Sequence, residues 1–169
     1  LITWLEDTVE EQYVVAERAC REGTTVHFGR CFGFAGIKGR ELPESKQKHK
    51  GRVVFQGNQV RDESGLAAVF SEQASGSSHL QASRLLDIVA RAPGCIGQQA
   101  DAVSAYTQAL LYGDGRTAPV DAWISLPPDQ QPPSWRKYRN PVCRLRLALY
   151  GHPWSDVFWG RHCDAKLRE

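Results

Sequence analysis

The 169-residue chain has no methionine and opens on Leu1. A natural reading frame ordinarily starts with Met, so the expectation is an excised or fragmentary frame. No apolar run approaches the roughly 20 residues that a membrane helix needs. No basic-then-apolar leader stands at the N-terminus. These absences point to a soluble, intracellular chain with no membrane partner. Five cysteines occur, Cys20, Cys31, Cys95, Cys143 and Cys163, but no Cys-x-x-Cys pair. That excludes a zinc site built from paired cysteines and leaves buried or half-buried thiols in a reducing compartment. There is no Gly-x-Ser-x-Gly elbow, no glycine-rich loop ending in Lys-Ser/Thr, and no Asp-Asp pair. Esterase-type nucleophiles and nucleotide-cradling loops are therefore not expected. His27, His49 and His79 are isolated, and His152, His162 and Cys163 read as surface or core residues rather than ligands.

What is present is the composition of a folded protein. Hydrophobic residues make up 41% and charged residues 24%, enough to bury a core. The net charge of +2 hides an uneven distribution. Residues 38–61 carry seven bases and two acids, and residues 135–169 carry eight bases and three acids. Residues 1–23 carry six acids and two bases, and residues 62–134 carry eight acids and three bases. Two basic blocks around an acidic middle suit a phosphate-binding surface beside a metal centre. On charge alone, a solvated mixed surface is the more ordinary reading.

Local patterns give a coarse order of elements. Thr3-Trp4-Leu5-Glu6 fits a capping box, which predicts a helix to about Glu22 with Leu5, Val9, Ala16 and Cys20 on one face and Gly23 as its stop. Strands are expected at 24–28 and 30–37, broken by glycines, and at 51–57. A polar basic turn fills 38–49, and a long loop fills 58–77. A second helix should start after Ser77-Ser78, carry Leu80, Leu85, Ile88, Val89 and Ala92, and end at Pro93-Gly94. Residues 95–101 should form a strand leading into a short helix over 103–111 and a Gly-Asp-Gly turn at 113–115. Strands at 120–126 and 142–147 and a final helix over 154–167 complete the chain, with a proline-bounded loop at 127–133. Interleaved short strands and helices with irregular connections predict an α+β fold.

One segment has chemical potential. Asp101 in Gln99-Ala-Asp101-Ala-Val-Ser-Ala105-Tyr106 would stand at a strand end before a helix. A carboxylate there can hold a hard cation such as Mg²⁺. Taken alone, a helix N-cap is the better reading.

Four segments in order resemble the reverse transcriptase of copia-type LTR retrotransposons. Lys50-Gly-Arg52-Val-Val-Phe-Gln-Gly57 is similar to the family's fingers strand, Lys-x-Arg-Leu-Val-x-x-Gly. Gln99 to Tyr106 is similar to Gln-x-Asp-Val-x-x-Ala-Phe, the first metal-binding motif of the palm. Ala122-Trp-Ile-Ser-Leu-Pro-Pro128 matches the following strand and Gln-Pro-Pro-Gly-Phe loop more loosely. Cys143-Arg-Leu-Arg-Leu-Ala-Leu-Tyr150-Gly151, followed by Trp159, reproduces Cys-x-Leu-x-x-Ala-Leu-Tyr-Gly and its Trp.

The resemblance implies a right-hand polymerase arrangement, with a fingers-like region over 1–94 and a partial palm over 95–169. It implies nucleotidyl transfer by a two-metal mechanism. Asp101 and the carbonyl of Ala102 would reach Mg²⁺. Lys50 and Arg52 would pair with a triphosphate, Tyr106 would be the steric gate against a 2′-hydroxyl, and Gly151 would lie under the templating base pair. The implied partners are an RNA template, a DNA primer, deoxynucleotides and the remainder of a Pol polyprotein, in the cytoplasm, a virus-like particle or the nucleus. Structural readings stand beside these: a core aromatic for Tyr106, an edge strand for Lys50 and Arg52, a plain turn for Gly151. The sequence also departs from the family. Gly151-His-Pro-Trp-Ser-Asp-Val157 replaces Gly-Leu-Lys-Gln-(Ala/Ser)-Pro-Arg, Gln56 replaces a Lys, and Tyr-x-Asp-Asp does not occur. The expected activity is thus that of a reverse-transcriptase fragment inactive alone. The alternative is a non-catalytic remnant or repurposed module that binds nucleic acid.

Overall fold

The structure, a computed structural model, describes residues 2–70, 80–111 and 120–169. Over these described residues it is a mixed α/β fold with three α-helices and one curled five-stranded sheet. The strands are β1 (Trp4–Glu11), β2 (Val26–Lys38), β3 (Lys48–Phe55), β4 (Asp121–Ser125) and β5 (Pro141–Leu145). The helices are α1 (Gln12–Glu22), α2 (Leu80–Val89) and α3 (Ser155–Leu167). The sheet order is β1-β5-β4-β2-β3, with β2 and β4 parallel and the other pairs antiparallel. Strands from both sides of residue 94 build this one sheet. Among the described residues, no helix is long and apolar enough to cross a membrane.

The register divides the sheet into two faces, because side chains alternate and directly paired residues share a face. Phe28 pairs with Trp123, and Trp123 with Arg144. Val26, Phe28, Trp123 and Val142 therefore stand together, and α1 covers them with Val15 and Ala19. On the opposite face Ala122, Ile124, Cys143 and Leu145 meet Trp135, Leu149, Trp154 and Phe158. Trp123, Ile124 and Cys143 are sealed between the two layers. Truncating a tryptophan so placed costs about 3–5 kcal/mol.

Several sequence expectations are realised. Gly23 stops α1 in the left-handed conformation (φ +63°), its N–H directed at the carbonyls of Ala19 and Cys20. The strands expected near 51–57, 120–126 and 142–147 form, as does the C-terminal helix. The two strands expected at 24–28 and 30–37 are one continuous β2. Gly29 does not interrupt it. A Cβ there would lie 2.1 Å from Cζ of Phe55, so the glycine admits that ring.

Two expectations are corrected. Residues 4–11 are a strand, and the helix starts only at Gln12. The capping-box pattern and the helix-forming glutamates yield to pairing with β5 and to packing of Trp4 and Val9 on the core. The buried face of α1 is accordingly Val15 and Ala19 rather than Ala16 and Cys20. The second correction is residues 95–111: 95–101 form no strand, and in place of the helix expected over 103–111 there is only the 3-10 turn Ala105–Gln108. Both edges of β4 are already occupied, by β2 and β5. Ile96 is 89% exposed, so the segment gains no burial to order it as a strand. α2 forms where the second helix was expected but ends at Val89, short of Pro93-Gly94, and buries none of its residues. The turn at 113–115 and the start of the second helix at 77–78 lie outside the described residues.

Candidate nucleic-acid interface

The outer half of β2 and the whole of β3 form a regular hairpin, paired without a break from Cys31↔Phe55 to Lys38↔Lys48. Between them lies the basic turn, with one 3-10 turn at Glu44–Lys46. Regular pairing fixes which side chains share a face. One face carries Phe32, Phe34, Gly36 and Lys38 from β2, and Lys48, Lys50, Arg52 and Val54 from β3. It holds four cations and no carboxylate. Successive same-face positions are roughly 7 Å apart along a strand. Phe32 and Phe34 are 46% and 47% exposed, so two aromatic rings lie open among the cations. Gly36, opposite Lys50, keeps the centre of the face low. The other face carries small residues, Gly33, Ala35 and Gly51, and packs near Gln130.

At the base of the hairpin, residues distant in sequence converge. The N–H of Phe55 donates to the carbonyl of Tyr150 (2.7 Å), which lays 150–152 along the edge of β3. Two glycines permit this approach. A Cβ on Gly151 would sit 2.2 Å from the Phe55 carbonyl, and Gly151 holds φ +86°. A Cβ on Gly57 would sit 2.2 Å from the Gly151 carbonyl. The Arg52 guanidinium then lies 5.6 Å from the centroid of the Tyr150 ring, a cation–π contact.

The Tyr150 ring meets Tyr106 edge-on, with centroids 4.7 Å apart. Tyr106 is held there by its own segment. Leu111 and Ala148 exchange backbone bonds with Arg146 and Ala109, which fixes 109–111 beside 146–148. Ser104 takes φ +55°, a left-handed conformation that costs a non-glycine residue energy. Its carbonyl accepts from Thr107, and the Val103 carbonyl accepts from Gln108, closing the 3-10 turn Ala105–Gln108. The Tyr106 hydroxyl donates to Asp156 at the start of α3. This bond, then burial, raises the Tyr106 hydroxyl to about 12.

The residues expected to form a site thus separate into two groups. Arg52, Tyr106 and Gly151 are brought to one place, and Lys50 stands one same-face step from Arg52. Asp101 and Ala102 are exposed in irregular chain before the Ser104 turn. Among the described residues, no group of three or more His, Cys, Asp or Glu side chains converges. Hard cations take mostly oxygen ligands. One carboxylate and one carbonyl do not by themselves fit a two-Mg²⁺ centre.

Beneath the hairpin, His152 is buried with its ring 4.7 Å from Phe55. Burial, then the neighbouring His27, lowers it to about 3. Its Nδ1 accepts from the Trp154 N–H (3.2 Å), so the imidazole is a neutral packing and capping element. The cysteines are all free. Cys31 and Cys143 are buried, which pushes each thiol up to about 12.

Sequence reasoning missed Phe32, Phe34, Tyr150 and Asp156. The first two had a signal, since Phe32-x-Phe34 and Lys48-x-Lys50-x-Arg52 both alternate with period two. Asp156 had none, because it lies in the stretch that departs most from the family pattern. Searches of protein-family models, of curated proteins and of solved structures return no match to this chain.

Proposed function

We propose that this chain is a nucleic-acid-binding segment arranged like the fingers and partial palm of a copia-type reverse transcriptase. The observation that carries the reading is the hairpin face. Four cations without a carboxylate attract a phosphate backbone, and two open rings among them offer stacking surfaces. A second observation supports the family resemblance itself. Arg52, Tyr106 and Tyr150-Gly151 come from three separate motifs, and they meet in space.

In this reading an RNA template and DNA primer lie against the hairpin. Lys50 and Arg52 meet the triphosphate of a deoxynucleotide, Tyr106 crowds its 2′ position, and Gly151 underlies the templating pair. Asp101 and the Ala102 carbonyl add ligands to a Mg²⁺ site whose other carboxylates come from the remainder of a Pol polyprotein. The second reading, a binding module without catalysis, is favoured by the lone exposed Asp101.

Anisotropy titration of a labelled RNA–DNA hybrid tests the shared claim. Sequence-independent binding at low salt is expected, lost in Lys48→Glu/Lys50→Glu. Equal affinity in that variant, or no binding, sinks it. Primer extension by the chain with Mg²⁺ and deoxynucleotides should be undetectable. Extension abolished by Asp101→Ala would overturn the view that the chain is catalytically incomplete.

A further inference from the structure

The hairpin face continues past Phe32 to Arg30, the next same-face position of β2. Arg30 pairs with Ser125, the last residue of β4, so it stands where the short strand ends and leaves a groove of about 480 Å³. Six polar side chains line this groove: Gln12, Arg30, Asn58, Gln59, Ser125 and Asn140. Arg61 also borders it, anchored to the carbonyl of Gly65 (3.2 Å). Among the described residues, no carboxylate lines it.

The groove's backbone frame is fixed. The Gln12 N–H donates to the Asn140 carbonyl (3.0 Å), and the Glu11 carboxylate receives the Asn140 N–H (2.9 Å). On the far side the Gln56 N–H donates to the Arg30 carbonyl (2.8 Å), which sets the turn bearing Asn58 and Gln59. Yet none of the six polar side chains has a protein partner among the described residues. Four amides, a hydroxyl and a guanidinium line the groove, and those of Arg30, Asn58, Gln59 and Asn140 are exposed to water.

Resting on the nucleic-acid reading above, we infer that this groove reads the base of one unpaired nucleotide of a strand lying along the hairpin. An amide presents a donor and an acceptor side by side, which complements a base edge. Those edges are free only in an unpaired base. Arg30, with no acid beside it, takes the adjoining phosphate. The volume lies in the range of small-molecule sites, about 300–1,000 Å³. The groove therefore supplies base preference, while the hairpin supplies affinity that ignores sequence.

The test is competition anisotropy with the full chain and four RNA homopolymers of equal length. Wild type should show about a tenfold spread between the best and worst homopolymer. Gln59→Ala and Asn140→Ala should shrink the spread below about threefold and leave the salt slope unchanged. The near-isosteric Gln59→Glu and Asn140→Asp should likewise shrink the spread, and they decide the matter if thermal unfolding shows the Ala variants misfolded. Lys50→Ala should weaken all four homopolymers alike and keep the spread. Equal wild-type affinities, or a spread untouched by the groove variants, overturn this inference and leave the nucleic-acid reading standing. Failure to bind any strand overturns both.

Discussion

Removing three of the four cations on the hairpin face should flatten the salt dependence of nucleic-acid binding. The perturbation is Lys48→Ala/Lys50→Ala/Arg52→Ala. These residues lie on one strand, where Lys48 pairs with Lys38, Lys50 with Gly36 and Arg52 with Phe34. If all four cations contact phosphates of a single strand, log K falls with log salt at a slope of about −2.8. Affinity then drops about 50-fold between 50 and 200 mM salt. With Lys38 alone remaining, the slope is about −0.7 and the same change in salt costs about threefold. On an RNA–DNA hybrid read with the duplex coefficient, the slopes are about −3.6 and −0.9. Lys50 is exposed and Arg52 loses only a cation–π contact at the surface, so the fold should survive. Anisotropy titrations at four salt concentrations, with circular dichroism on the same samples, give the slopes. A triple variant that is folded and keeps the wild-type slope refutes the assignment of this face to phosphate contact.

Other consequences follow from the same structure. Gly151→Ala should destabilise the protein by about 2 kcal/mol or more, from its positive φ and the collision with the Phe55 carbonyl, whereas Gly36→Ala, with nothing within 4 Å of the added Cβ, should change stability by less than about 1 kcal/mol; chemical unfolding compares the two. Ultraviolet titration should show Tyr106 ionising near pH 12, moving down toward its ordinary value in Asp156→Asn. Since the folded-state value is raised, this bond's stabilisation is fully present below about pH 10 and is lost as pH rises from there through about 12. His152 has the opposite sign: its folded-state value is lowered to about 3, so its contribution holds above about 6.5 and is lost as pH falls through about 3. His152→Phe should therefore show a shallower loss of stability between those pH values, measured by denaturant melts.

The sequence announced those elements whose signals are local. Gly23 ends α1 because only a residue tolerant of positive φ closes that turn cheaply, and glycine after an apolar-periodic run is visible in a sequence. β4 and β5 were visible as short β-branched and aromatic runs. Residues 4–11 were misread because Glu6, Glu10 and Glu11 favour a helix locally, while the deciding partner, β5, lies over 130 residues away. The strand expected at 95–101 did not form because the segment finds no burial, Ile96 being exposed, and β4 is already flanked by β2 and β5. The candidate site was legible in the same uneven way. The family resemblance singled out Arg52, Tyr106 and Gly151, and the fold brings them together. It did not reveal that Tyr106 is tied to Asp156, a contact spanning 50 residues that depends on how α3 docks. The groove at Arg30 was invisible, because its lining comes from six separated stretches of chain.

Where a bound strand lies tests the central claim most directly. Photo-cross-linking of the chain to a single-stranded RNA bearing 4-thiouridine, with mass spectrometry of the adducts, maps the contact residue by residue. The account predicts adducts on Phe32 and Phe34 and on the neighbouring residues of the β2–β3 hairpin, lost at high salt and in the triple variant. Adducts confined to α2 or α3, with the hairpin unmodified, would contradict it.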